Sequence, residues 1–182
     1  GANVAGCPID DVRDGIGVAC TVDGDVCPFD HTCFPDDVDD PSSGLCAPIL
    51  DYGSCPAPAY AQKAQKTEDK DVVVDDLADV DKLKDVATIT GRLKLEFPGA
   101  GGLLAVGDLC GFSGLQHVGG AVLITETDAS SLDGLQGLAF VGGGLLVNSN
   151  GELEDVMGLR NLVKAVAPTD RDFGVGLTNN RK

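Results

Sequence analysis

The side chains in this sequence most able to do chemistry are its seven cysteines. Cys7, Cys20, Cys27, Cys33, Cys46 and Cys55 crowd into the N-terminal third among Gly- and Pro-rich turns, while Cys110 stands alone downstream. Such crowding in a short stretch reads as a disulfide framework and implies an oxidising compartment. Zinc is the competing chemistry, but no C-x-x-C pair occurs, and the only histidines, His31 and His117, fall in no ligand spacing. Cys110 is expected to be a buried free thiol, with a bridge to the N-terminal region or to another chain as the alternative.

Carboxylates are the next candidates. Asp23, Asp25, Asp36 and Asp37, with Asp39 and Asp40 beside them, could offer oxygen ligands to Ca²⁺. The twelve-residue loop ending in Glu is missing, so a solvated acidic loop is the expectation and no metal is assigned. "DFG" at Asp172–Gly174 lacks every other kinase element, and "GAGG" at Gly99–Gly102 follows no phosphate-binding strand and helix. No catalytic constellation emerges, so neither an enzyme nor a cofactor is expected.

The surroundings of these residues narrow the partners. A formal net charge of −16 opposes binding to nucleic acid and to anionic lipid, both of which need clustered Lys and Arg. No apolar run approaches the roughly 20 residues that cross a bilayer as a helix, so membrane insertion is not expected. With no Trp, one Met and 4% aromatic residues, the core must be aliphatic, which suits regular, repeated packing.

Residues 1–56 show turn signals ("VDGD", "DDPSSG", "YGSCPAP") and little periodicity. So short a stretch buries little apolar surface, and crosslinks must restrict its unfolded state instead. Its run "CTVDGDVCPFDHTC", closed by "GLC" at Cys46, resembles small secreted cysteine-rich modules of the whey-acidic-protein and Dickkopf-like kind. It departs from them by one extra residue before Cys27 and by lacking the paired cysteines of the whey-acidic motif. Six cysteines admit 15 connectivities, which sequence does not choose between. Residues 57–70 are rich in Ala, Gln and Lys and read as a linker.

From 71 onward the chain repeats itself. "HVGGAVLITET" (117–127) returns as "FVGGGLLVNSN" (140–150), with "TITGRLKLEF" (88–97) before them and "DRDFGVGLTNN" (170–180) after. Repeats of 20 to 30 residues predict a solenoid in which each coil adds a short strand to a parallel sheet. Apolar residues at every third position between strands predict 3₁₀ or turn segments for the return: Leu109, Phe112 and Leu115, then Leu132, Leu135 and Leu138. The pairs Gly119–Gly120 and Gly142–Gly143 are expected to make the tight turn by adopting φ > 0. Ahead of the first phrase, "KDVVVDDLADVDKLKDVATITG" reads as strand, capped helix, strand. Asp75 or Asp76 is the cap, and Leu77, Val80 and Leu83 form one face.

That order, followed by "TG-x-L" and "VGG-x-L-x-I/V" coils with "SLDGLQGL" between them, resembles the receptor L-domain family of leucine-rich-type repeats over residues 71–182. The resemblance implies a mainly β fold, a right-handed parallel β-solenoid with an N-terminal capping helix, here behind a disulfide-rich irregular module. The chain departs from the family by being short, with about three full coils and no evident closing cap. The resemblance also implies a broad sheet face that meets ligands. Strand alternation sends Lys94, Leu123 and Leu146 outward, with Glu96, Thr125 and Asn148 two residues along, and these six are the expected partner-binding residues. The functional expectation is an extracellular or cell-surface recognition or adhesion module that binds a protein or glycan. Two alternatives stand beside it: a subunit that binds copies of itself in a filament or surface layer, and a protease inhibitor acting through the loop at residues 36–44.

Overall fold

The computed structural model describes residues 19–21, 27, 31–35, 43–48, 55, 66–97, 108–167 and 174–180. The first strands, β1 (Ala19–Thr21), β2 (His31–Pro35) and β3 (Ser43–Pro48), form an antiparallel sheet in the order β1-β3-β2. Two disulfides staple it, Cys20–Cys33 between the outer strands and Cys27–Cys46 onto the central one. The module expected to be irregular therefore contains a sheet. Its strands are too short and too interrupted by Pro and Gly to show a period of two in the sequence.

The rest of the chain builds two parallel five-stranded sheets. Sheet I is β4 (Lys66–Glu68), β6 (Val86–Ile89), β8 (His117–Val118), β10 (Phe140–Val141) and β12 (Lys164–Ala165), in that spatial order. Sheet II is β5 (Val72–Val74), β7 (Leu93–Glu96), β9 (Val122–Thr125), β11 (Leu145–Asn148) and β13 (Val175–Thr178). The chain lays one strand in sheet I, turns, lays one in sheet II and crosses back. One such circuit is a coil, and the described residues supply five pairs of strands rather than about three. Coil one begins at β4, inside the stretch read as a linker. Lys66 and Thr67 lie exposed on an edge strand, so no apolar alternation marks it.

Alternation positions everything else. In β7, β9 and β11 buried and half-buried residues alternate, and the register aligns Val72, Leu93, Val122, Leu145 and Val175 in one inward row. Val74, Leu95, Ile124, Val147 and Leu177 make the next. Each fully buried aliphatic side chain in these rows contributes about 1.5–3 kcal/mol. The return segments add Leu109, Phe112, Leu115, Leu132, Leu135 and Leu138 to the same core. 3₁₀ turns form at Asp108–Phe112 and Met157–Leu159, and Leu132, Leu135 and Leu138 are linked by successive turn hydrogen bonds. In coil one the return is a helix, α1 (Leu77–Lys82), whose N-cap Asp76 accepts a hydrogen bond from the Ala78 N–H. Val80 and Leu83 are buried as expected, but Leu77 is exposed. The helix is short and touches the coil beneath it through Val80, whose carbonyl passes close to Gly111.

The glycine pairs have a different role from the one expected. Only Gly134 and Gly144 among the described glycines adopt positive φ. At Gly119, Gly120, Gly142 and Gly143 the requirement is close approach. A Cβ on Gly142 would sit 2.1 Å from the carbonyl oxygen of Gly119, and one on Gly119 would sit 2.5 Å from that of Thr90. Stacked turns touch backbone to backbone, which leaves no room for a side chain.

Candidate functional site

Sheet II presents an outer face. The register places Lys94, Leu123 and Leu146 side by side on β7, β9 and β11, in a row that starts at Val73 and ends at Gly176. Glu96, Thr125 and Asn148 form the next row and Thr178 extends it. All six expected residues therefore lie on one face, and all six are half-buried. Lys94 pairs with Glu96 on its own strand. The Asn148 Oδ1 accepts from Thr178 Oγ1 at 2.8 Å and Asn179 Nδ2 at 3.0 Å. The result is two leucines between an ion pair on one side and an amide–hydroxyl cluster on the other.

The N-terminal module docks elsewhere. Phe140 on β10 packs against the disulfide cluster of Cys20, Cys27, Cys33 and Cys46, with Val163 beside it. His117 meets the Phe140 ring edge-on at 4.5 Å between centroids, and the Lys164 Nζ stands 5.7 Å over it. These three residues form one cross-strand row of sheet I. Gln116, buried just before β8, completes the joint: its Oε1 accepts from the Cys27 N–H at 2.9 Å, and its Nε2 donates to the Cys27 carbonyl at 3.0 Å. This side-chain amide copies a strand's pair of backbone bonds. Gln116→Ala is expected to loosen the joint by about 1–2 kcal/mol, read as roughly tenfold faster hydrogen exchange at the Cys27 amide with little change in the sheet II amides.

Cys110 corrects an expectation. It is neither a free thiol nor an intermolecular one, but is bonded to Cys55. The 3₁₀ turn at Asp108–Phe112 holds it half-buried at the surface of coil two, within reach of the chain leaving the N-terminal module. With six cysteines paired, Cys7 is the one left over by count; it lies outside the described residues, as do Asp23, Asp25, Asp36 and Asp37. Three sulfurs, those of Cys20, Cys27 and Cys33, lie within 4.8 Å of one another. As disulfide sulfurs they offer no thiolate to a metal.

One set of functional side chains was missed in the sequence. Asn150 is fully buried beyond the end of β11. Its Oδ1 accepts from the Thr127 N–H at 2.9 Å and Oγ1 at 2.7 Å, and its Nδ2 donates to the Ile124 carbonyl at 3.0 Å. One coil on, Asn180 does the same, accepting from the Asn150 N–H at 3.0 Å and donating to the Val147 carbonyl at 3.0 Å. Before each ladder residue the backbone turns left-handed, at Glu126, Ser149 and Asn179 with φ of 54°, 58° and 54°. Each asparagine therefore ties its coil to the one before it. The signal was present in the repeated phrase, whose final position reads Thr127, Asn150, Asn180.

The resolved ionisation shifts belong to ion pairs on exposed residues of coils one and two. Hydrogen bonds from the Arg92 guanidinium and backbone N–H hold the Asp71 carboxyl below its ordinary value, and Asp71 in turn raises Arg92. Asp79 raises Lys82 by the same kind of bond. All three move away from neutral pH, the direction of structural pairing rather than of acid–base catalysis. No described helix is long and apolar enough to cross a membrane. Compared with known proteins, the chain matches no protein-family model, and no curated protein is significantly similar to it in sequence.

Proposed function

We propose that the protein is a non-enzymatic recognition module of an extracellular or cell-surface setting, built as a short right-handed β-solenoid of L-domain type. In this reading α1 acts as its N-terminal capping helix, and the outer face of sheet II is its contact surface for a protein or glycan. The observation that carries this reading is where the N-terminal module sits. Its described contacts go to Gln116, Phe140 and Val163 on the sheet I side and, through Cys55, to Cys110 on the return of coil two, while Leu123 and Leu146 lie framed by polar groups on sheet II. Apolar residues ringed by polar ones on a rigid sheet suit a binding surface. The paired cysteines support an oxidising environment. The loop at residues 36–44, on which the protease-inhibitor alternative rests, lies outside the described residues except for Ser43 and Gly44 at the start of β3.

The test is a binding screen of the intact, unreduced protein against arrayed glycans and extracellular protein domains, run beside Leu123→Lys/Leu146→Lys. A ligand that the double variant binds at least tenfold more weakly, with an unchanged melting temperature, supports the reading. A ligand held equally by both forms moves the site off sheet II.

A further inference from the structure

Eight large apolar side chains are exposed among the described residues, and their placement is not random. Leu45 belongs to the N-terminal module. Of the other seven, Val73 and Leu77 lie on coil one, Val156 and Met157 on the return of coil four, and Val166, Val175 and Leu177 on coil five, with none on coils two and three. The last pair is the most telling. Val175 and Leu177 stand in the inward rows beside Leu145 and Val147, yet are 45% and 53% exposed where those two are 2% and 0%. The core opens at this end. At the other, Val72, Val74, Val80 and Leu83 are buried, and the surface is instead a groove of about 420 Å³ lined by α1 and the β4–β5 segment, including Val73, Leu83, Asp79 and Lys82.

Charge separates the ends as well. Residues 66–85 carry eight acidic and four basic side chains, whereas the described residues of 156–167 and 174–180 carry two basic ones, Arg160 and Lys164, and no acidic one, against the −16 of the whole chain. Among the described residues, β4 and β5 are the outermost strands at the acidic end, and β12 and β13 those at the basic end. We propose that copies associate head to tail, with the open last coil of one molecule on the first coil of the next, so that sheets I and II both run on through the junction. The parallel sense matches, opposite charges meet, and both sets of exposed apolar side chains are covered. A tail-to-tail pair would instead join like charges and leave Val73 and Leu77 in water. Such a contact uses two different surfaces of each molecule and does not close on itself, so the product is an open row of molecules. This inference does not rest on the sheet II reading, although Val73 also begins the outer row of that face.

The test is light scattering of the intact, oxidised protein over a wide concentration range, in a Cys7→Ser background so that chance crosslinks do not count. Wild-type mass should climb past two copies of 18.6 kDa without levelling, and should fall as salt is added. Val73→Lys blocks the head and Leu177→Asp the tail; each sits on an exposed residue, and circular dichroism checks its fold. Each variant alone should be monomeric, but an equal mixture should form pairs and stop there, because one good tail and one good head remain. A wild type that stays monomeric at every concentration overturns the proposal. So does a mass that levels at two copies while Val73→Lys still pairs, which would indicate the tail-to-tail dimer, or a mixture of folded variants that stays monomeric.

Discussion

Asn150→Ala is expected to lower the unfolding free energy by about 3–5 kcal/mol, a large share of the 5–15 kcal/mol typical of a domain. The substitution strands the Thr127 N–H, the Thr127 hydroxyl and the Ile124 carbonyl in a fully buried site. Each such orphaned group costs about 1–3 kcal/mol, and water entering the vacated space offsets part of the sum. Asn150→Asp keeps the shape but replaces a donor with a buried charge, so it should be at least as damaging. Urea unfolding followed by circular dichroism measures both. If Asn150→Ala lost less than about 1 kcal/mol, the ladder would be incidental to stability.

Gly142→Ala should be of similar severity by the opposite route, adding an atom where none fits. The new Cβ would meet the Gly119 carbonyl oxygen at 2.1 Å, with nothing flexible to yield. The two coils must separate locally, which disturbs the hydrogen bond from Gly142 N–H to the Val118 carbonyl. The expected loss is at least about 3 kcal/mol, with the damage centred between coils three and four. Gly151→Ala is the control, since a Cβ there meets nothing within 4 Å; it should change stability by well under 1 kcal/mol. Thermal melts of the two variants make the comparison. Equal melting temperatures would mean that the stack breathes enough to admit a methyl group.

Much of the mainly β, parallel-sheet fold was legible because a stacked coil must solve the same problem at the same place. The phrase in which Leu93, Val122 and Leu145 recur predicts their strands, and alternation separates Leu123 and Leu146 from Ile124 and Val147. Strand β4 was not legible. An edge strand half in water needs no alternation, so Lys66–Glu68 reads as linker. The bridge from Cys55 to Cys110 was open to view only as one choice among several, since pairing depends on how the chain folds back over a sequence separation of 55. The glycine pairs were noticed but explained by φ, because sequence shows which residue lacks a side chain and not which backbone lies against it. Asn150 went unremarked for a related reason. Near a strand end asparagine is an ordinary turn former, and only burial shows that its amide stands in for a missing coil-to-coil bond.

The Cys55–Cys110 bond has a mechanical consequence as well. It encloses coils one and two in a covalent ring, so a molecule pulled by its two ends transmits tension from the N-terminal module straight into the turn ahead of coil three. The strands β4 to β7 lie off the load path. Their slack, roughly 190 Å at about 3.4 Å per residue, is withheld from the stretched chain until the bond is reduced. Under tension the acidic end of the stack is therefore a shielded segment, folded and unloaded, while the later coils bear the force.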